Sequence, residues 1–131
     1  MSIHVRRGDY LEWGIDLVPD VFYRNAMKFI QEKKRNAELH FFVFTDDAEY
    51  VRENYYDIKN LYVVEGNTGK ESYRDMQLMS LCKHNIIANS TFSFWGAYLN
   101  RNMSKIVIAP NLPYTGCKIP FACDDWVVMD V

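Results

Sequence analysis

A chain of 131 residues can bury one substantial core but not two. With 49% hydrophobic, 24% charged and 15% aromatic residues it has the make-up of an ordinary folded domain that is well supplied with large side chains. A net charge of −2 excludes a general affinity for nucleic acid, so any anion site must be local.

In chain order, Ile3 and Val5 alternate with His4 and Arg6, the period of a strand with one face buried. The alternation breaks at Arg7-Gly8, where glycine is expected to permit a sharp turn. Tyr10 to Val18 reads as a loop. Pro19-Asp20 starts a helix in which Phe22, Ala26, Phe29 and Ile30 recur at helical spacing, with a basic end from Gln31 to Arg35. Leu39 to Phe44 is nearly continuously apolar, as in a strand covered on both faces. Thr45-Asp46-Asp47 then caps a short helix through about Asn54. Leu61 to Val64 is a third strand, ending in Glu65-Gly66-Asn67. The spacing predicts a helix over Lys70 to His84 with Tyr73, Met76, Leu78, Met79 and Cys82 turned inward.

Ile86 to Ala88 is a fourth strand, and Asn89-Ser90-Thr91 opens a helix carrying Phe92, Trp95 and Leu99. Ile106 to Ala109 is a fifth strand. Pro110 to Asp125 is a long loop, and Trp126 to Met129 is a last strand. Strands separated by helices predict a parallel sheet with right-handed crossovers, an α/β fold of three layers and Rossmann-like form. The cysteines, Cys82, Cys117 and Cys123, are odd in number and lack C-x-x-C spacing. They argue against a disulfide or zinc framework and for a reducing compartment. No apolar run approaches the roughly 20 residues of a membrane span, and no signal peptide precedes the first strand. The chain enters that strand without a lead-in, as if something N-terminal had been cut away.

Each strand delivers polar groups to one edge: Arg6 and Arg7, then Asp46 and Asp47, then Glu65, then Asn89 to Ser93. In parallel α/β sheets that edge is the ligand crevice. Two guanidinium forks suit a pyrophosphate or paired carboxylates. Ser90-Thr91 at a helix N-terminus makes an anion site, and the carboxylates could meet donors on a base or sugar. Plainer readings stand beside these. The arginines could belong to a surface turn paired with aspartate, Asp46-Asp47 and Ser90-Thr91 could be helix caps, Asp75 a solvated helix residue and His4 a packed strand histidine. Arg7-Gly8-Asp9 spells an adhesion tripeptide too short to carry weight. Asn89-Ser90-Thr91 and Asn102-Met103-Ser104 fit the glycosylation pattern, although nothing suggests secretion. The lack of G-x-G-x-x-G and of a Walker loop counts against NAD binding and ATP hydrolysis.

Three blocks, His4-Val5-Arg6-Arg7-Gly8-Asp9-Tyr10-Leu11, Phe44-Thr45-Asp46-Asp47 and the run from Asp75 to Ala97, occur in an order that strongly resembles the bacterial α-1,2-fucosyltransferases of glycosyltransferase family 11. Phe94 stands where tryptophan is expected. The resemblance implies a single GDP-fucose-binding (donor) domain over residues 1–131, the C-terminal half of a two-domain GT-B enzyme whose N-terminal acceptor domain is absent from this chain. It implies transfer of fucose from GDP-fucose to a galactose 2-hydroxyl of a glycan acceptor, with inversion and without a metal or other cofactor.

By the same resemblance Arg6 holds the β-phosphate and offsets charge as GDP leaves, while Arg7 supports the turn through Asp9. His4 and Asp75 touch the guanine, Ser90, Thr91, Phe92 and Ser93 bind phosphate at the helix start, and Asp46 and Asp47 sit near the nucleotide. The base that deprotonates the acceptor is Glu12, Asp16 or Asp9, or belongs to the missing half. A related GDP-sugar transferase of other linkage, or a non-catalytic nucleotide-sugar-binding fragment, is the alternative. The fragment is expected to bind GDP weakly and catalyse little, and to self-associate through exposed apolar surface. It is expected in the bacterial cytoplasm, including its inner-membrane periphery.

Overall fold

The strands β1 (Ser2–Val5), β2 (Phe41–Thr45), β3 (Leu61–Val64), β4 (Asn85–Ile86), β5 (Val107–Pro110) and β6 (Val127–Met129) form one sheet in the order β3-β2-β1-β4-β5-β6. Every pairing is parallel. The computed structural model describes residues 1–114, 117 and 122–131. β1 is central: Ile3 is in register with Val43 on one side and Ile86 on the other. The chain runs outward from β1 to β3 and then returns across the sheet to β4. This Rossmann-like order puts a topological switch point between β1 and β4, and such folds bind ligands at the carboxyl edge there.

The sheet's side chains divide between two faces. On one, Ile3, Val5, Val43, Ile86 and Ile108 pack against α2 (Asp20–Lys33), through Phe22, Ala26 and Ile30, and against α3 (Ala48–Asn54), through Val51. On the other, Ile87, Val107, Ala109 and Trp126 pack against Ala97 of α5 (Thr91–Tyr98). The helix α4 (Tyr73–Leu81) lies against α5. Met79, 1% exposed, sits over Gly96 so closely that an added Cβ there would come within 3.0 Å of it. Each fully buried Phe, Ile or Leu contributes about 1.5–3 kcal/mol, so the first face supplies most of the hydrophobic stabilisation. Because His4 alternates with Ile3 and Val5, its ring faces away from that core.

Several boundaries differ from expectation. The stretch from Tyr10 is not all loop: Gly8–Trp13 is a six-residue helix, α1, ended by Gly14 in the left-handed region at φ 64°. Gly8 does not take a positive φ. Its place is explained by packing, since a Cβ there would meet Asp46 Oδ2 at 3.0 Å. β2 begins at Phe41 rather than Leu39, and β4 pairs only over Asn85 and Ile86. The helix expected from Lys70 to His84 is a 3₁₀ turn, Gly69–Glu71, followed by α4. Of its expected inward residues only Met79 is buried; Tyr73 and Leu78 are exposed. In α5 the buried residues are Ser93, Gly96 and Ala97, while Trp95 and Leu99 are exposed. The expected loop from Pro110 to Asp125 is shortened by Pro110, which belongs to β5; its residues 115, 116 and 118–121 lie outside the described residues. No helix among the described residues is long and apolar enough to cross a membrane.

Candidate functional site

A cavity of about 520 Å³ opens at the carboxyl edge of the sheet, astride the switch point. That volume lies within the range of roughly 300–1,000 Å³ usual for small-molecule sites. His4 enters it from β1 and Arg6 from just past its end, Tyr10 and Trp13 from α1, and Phe44, Thr45 and Asp46 from the end of β2. The turn between β3 and α4 supplies Asn67, Thr68, Gly69 and Ser72, and the first turn of α4 supplies Asp75; the start of α5 supplies Ser90, Thr91 and Phe92. A side hollow of about 230 Å³ shares Asp46, Asn67 and Asp75 and reaches Glu65.

The two adjacent arginines part company. Arg6 turns into the cavity, its Nη2 donating to Asp9 Oδ2 at 2.7 Å and its Nε lying 3.4 Å from Asp46 Oδ2. Arg7 turns away: its Nε is 3.4 Å from Asp47 Oδ2 and its guanidinium lies 3.4 Å over the ring of Tyr50. The Tyr50 hydroxyl donates to Asp20, which also accepts from Tyr55. Asp9 therefore pairs with Arg6, not with Arg7 as expected. Asp46 is fixed from below, where its Oδ1 accepts the Arg7 backbone N–H at 2.8 Å. Asp47 caps α3 by accepting the Tyr50 N–H at 3.1 Å and does not line the cavity.

The opposite wall is the first turn of α5. Ser90 precedes it in extended conformation, φ −132° and ψ 131°, and makes no side-chain capping bond. The plain capping reading therefore fails, and the first N–H groups of α5 lack a side-chain partner from this residue. Thr91 is exposed at the same place. Ser93 is fully buried, its hydroxyl donating to the carbonyls of Ser90 and Ala88 at 3.3 and 3.5 Å, outside the cavity lining. Asn89 is 1% exposed, with its amide donating to the carbonyls of Asp16 and Pro113. Buried so, it is no surface glycosylation acceptor. Tyr10 donates its hydroxyl to the Asn89 carbonyl at 3.0 Å, which ties α1 to the end of β4.

Two further groups give the site direction. Asp75 accepts from Asn67 Nδ2 at 2.9 Å, and partial burial raises its carboxyl above the ordinary aspartate range. His4 is buried, with Phe92 5.7 Å away and no hydrogen-bond partner at Nδ1. Desolvation first, and the Arg6 cation beside it second, push its pKa down to about 4. It is a neutral imidazole at pH 7, and its unpartnered Nδ1 is itself buried. Glu12 and Asp16 are exposed and neither lines the cavity. The walls can thus take an elongated ligand, with an anion between Arg6 and α5 and hydrogen-bond donors toward Asp75. Sequence reasoning missed Trp13, Thr68, Gly69 and Ser72. The signal for the last three was present, because they follow the carboxyl end of β3.

The model for "Glycosyl transferase family 11" matches residues 1–122. The O-antigen biosynthesis glycosyltransferase WbnK of Escherichia coli is 37% identical over 96% of this chain and 43% of its own length. An alpha-1,2-colitosyltransferase of Escherichia coli is 38% identical over 84% of this chain and 39% of its own. Galactoside alpha-(1,2)-fucosyltransferase 1 of Ateles belzebuth is 34% identical over 76% of this chain and 28% of its own. The chain therefore spans less than half the length of these relatives. No solved structure matches it. On the match over nearly its whole length, the chain belongs to glycosyl transferase family 11.

Proposed function

We propose that the cavity holds the diphosphate of a GDP-sugar, GDP-fucose foremost, and that residues 1–131 are the donor-binding half of a GT-B glycosyltransferase. On this reading the whole enzyme passes fucose to the 2-hydroxyl of a galactose in a glycan acceptor, with inversion. One observation carries it: Arg6 and the uncapped start of α5 line the same cavity. A guanidinium and a helix N-terminus facing each other meet a diphosphate from two sides. As the sugar leaves, negative charge grows on the β-phosphate, and fixed positive groups at that point lower the barrier. Asp75 accepts from the guanine N–H and amino group, and the neutral His4 hydrogen-bonds beside it. Arg7 and Asp47 act indirectly by holding the turn that presents Arg6, and Ser93 by fixing the start of α5.

Asp9 is committed to Arg6, while Glu12 and Asp16 lie outside the lining. The base that deprotonates the acceptor is accordingly assigned to another domain. The relative named for colitosyl transfer supports a second reading, in which the donor carries another deoxy sugar on the same scaffold.

Calorimetry with GDP tests the proposal. Losing charge-assisted hydrogen bonds worth about 1.5–3 kcal/mol, Arg6→Ala is expected to bind GDP roughly 10- to 100-fold more weakly. Equal binding by the wild type and the variant would refute the phosphate role.

A further inference from the structure

We propose that the indole of Trp13 is a stacking platform for the apolar face of a pyranose ring held at the mouth of the cavity. The inference rests on reading the cavity as a nucleotide-sugar site. Trp13 is the last residue of α1, and the left-handed Gly14, whose N–H bonds to the Tyr10 carbonyl, ends the helix directly after it. The tie between Tyr10 and Asn89 holds α1 against the end of β4. The indole is therefore mounted on a fixed element, and it lines the cavity while remaining 63% exposed. What sets this ring apart from the other exposed large side chains is its place in the lining of a polar cavity.

A pyranose fits that place. An aromatic face is electron-rich and attracts the weakly positive C–H groups on one side of a sugar ring. The sugar's hydroxyl rim stays polar, and Asn67, Thr68, Ser72 and Thr91 line the same cavity with amide and hydroxyl groups to meet it. A purine can also stack on one face of an indole, so GDP without a sugar is the control for that outcome. Trp13 also stands roughly 7 Å along α1 from Gly8, at about 1.5 Å per residue, so it is one step removed from Arg6. The sugar can belong to the donor or to the acceptor. The chemistry is the same, and the ligands of the test separate them.

The chain has three tryptophans, Trp13, Trp95 and Trp126, so its indole N–H groups are separately observable by NMR, and the signal lost in Trp13→Phe identifies Trp13. The wild type is titrated with GDP, GDP-fucose and methyl β-galactoside. The Trp13 signal is expected to move with a sugar-bearing ligand and to stay still with GDP. Trp13→Ala is expected to weaken that sugar ligand roughly three- to tenfold, with GDP affinity unchanged and Trp13→Phe restoring most of the loss. A loss with GDP-fucose assigns the donor sugar, and a loss with the galactoside alone assigns the acceptor sugar. Equal movement with GDP and GDP-fucose would mean purine stacking and overturn the proposal, as would a Trp13 signal that no sugar moves. Failure of GDP to bind at all would sink the donor reading instead, a result distinct from an unmoved Trp13 in a protein that binds GDP.

Discussion

Arg6 already has two carboxylate partners, Asp9 at 2.7 Å and Asp46 at 3.4 Å, which hold its guanidinium in the cavity that the start of α5 also lines. The neighbouring Arg7 has the same chemistry and a different fate, because it lies past the end of β1 as the residue preceding α1 and reaches Tyr50 and Asp47. Sequence alone marks both arginines as candidates; which one faces the ligand depends on where the strand stops alternating and α1 begins. His4 shows a second effect of burial. Its pKa of about 4 lies below the ordinary 6.5 because the charged form is desolvated, so between those values the unfolded chain binds a proton that the folded chain does not. Stability therefore falls as pH drops from about 6.5 toward 4, by on the order of 3 kcal/mol for this residue. Burial lowers the pKa of His84 as well, which acts with the same sign. Melting temperatures measured from pH 7 to pH 4 are expected to drop less in His4→Gln than in the wild type; identical slopes would contradict this account.

At the scale of elements, the strands were legible because continuous apolar runs such as Phe41 to Phe44 have few other uses. The helix α1 was not. Six residues give too few turns for a helical period to appear, and Tyr10 is the only one of the six that is buried. In α4 and α5 the period was visible but the buried face was misjudged. Where two helices approach closely, small residues face inward and large ones are left outside, so Gly96 and Ala97 are buried while Trp95 and Leu99 are exposed. Contact between Gly96 and Met79 sets that approach. Gly96→Ala gains about 1 kcal/mol in helix propensity but loses about 1–3 kcal/mol by overpacking. The expected net result is destabilisation of roughly 1 kcal/mol in urea unfolding. A more stable variant would mean that α4 can shift freely.

At the scale of the whole molecule, alternation of strand and helix was enough to predict a parallel sheet, and a parallel sheet was enough to predict which edge binds. That edge covers Arg6, Asp46, Ser90, Thr91 and Phe92, and the family resemblance adds His4 and Asp75; all seven line the cavity. Arg7, Asp9, Glu12, Asp47 and Ser93 came from the same segments but do not line it, because a strand end fixes a side chain's neighbourhood and not its direction. The account depends on one ligand bridging two walls contributed by the start and the last third of the chain. Backbone amide shifts during a GDP titration test this most directly. Residues 6–10 and 90–92 are expected to shift together along one binding curve. Shifts confined to a single wall, or centred on the basic end of α2 near Lys33, would contradict it.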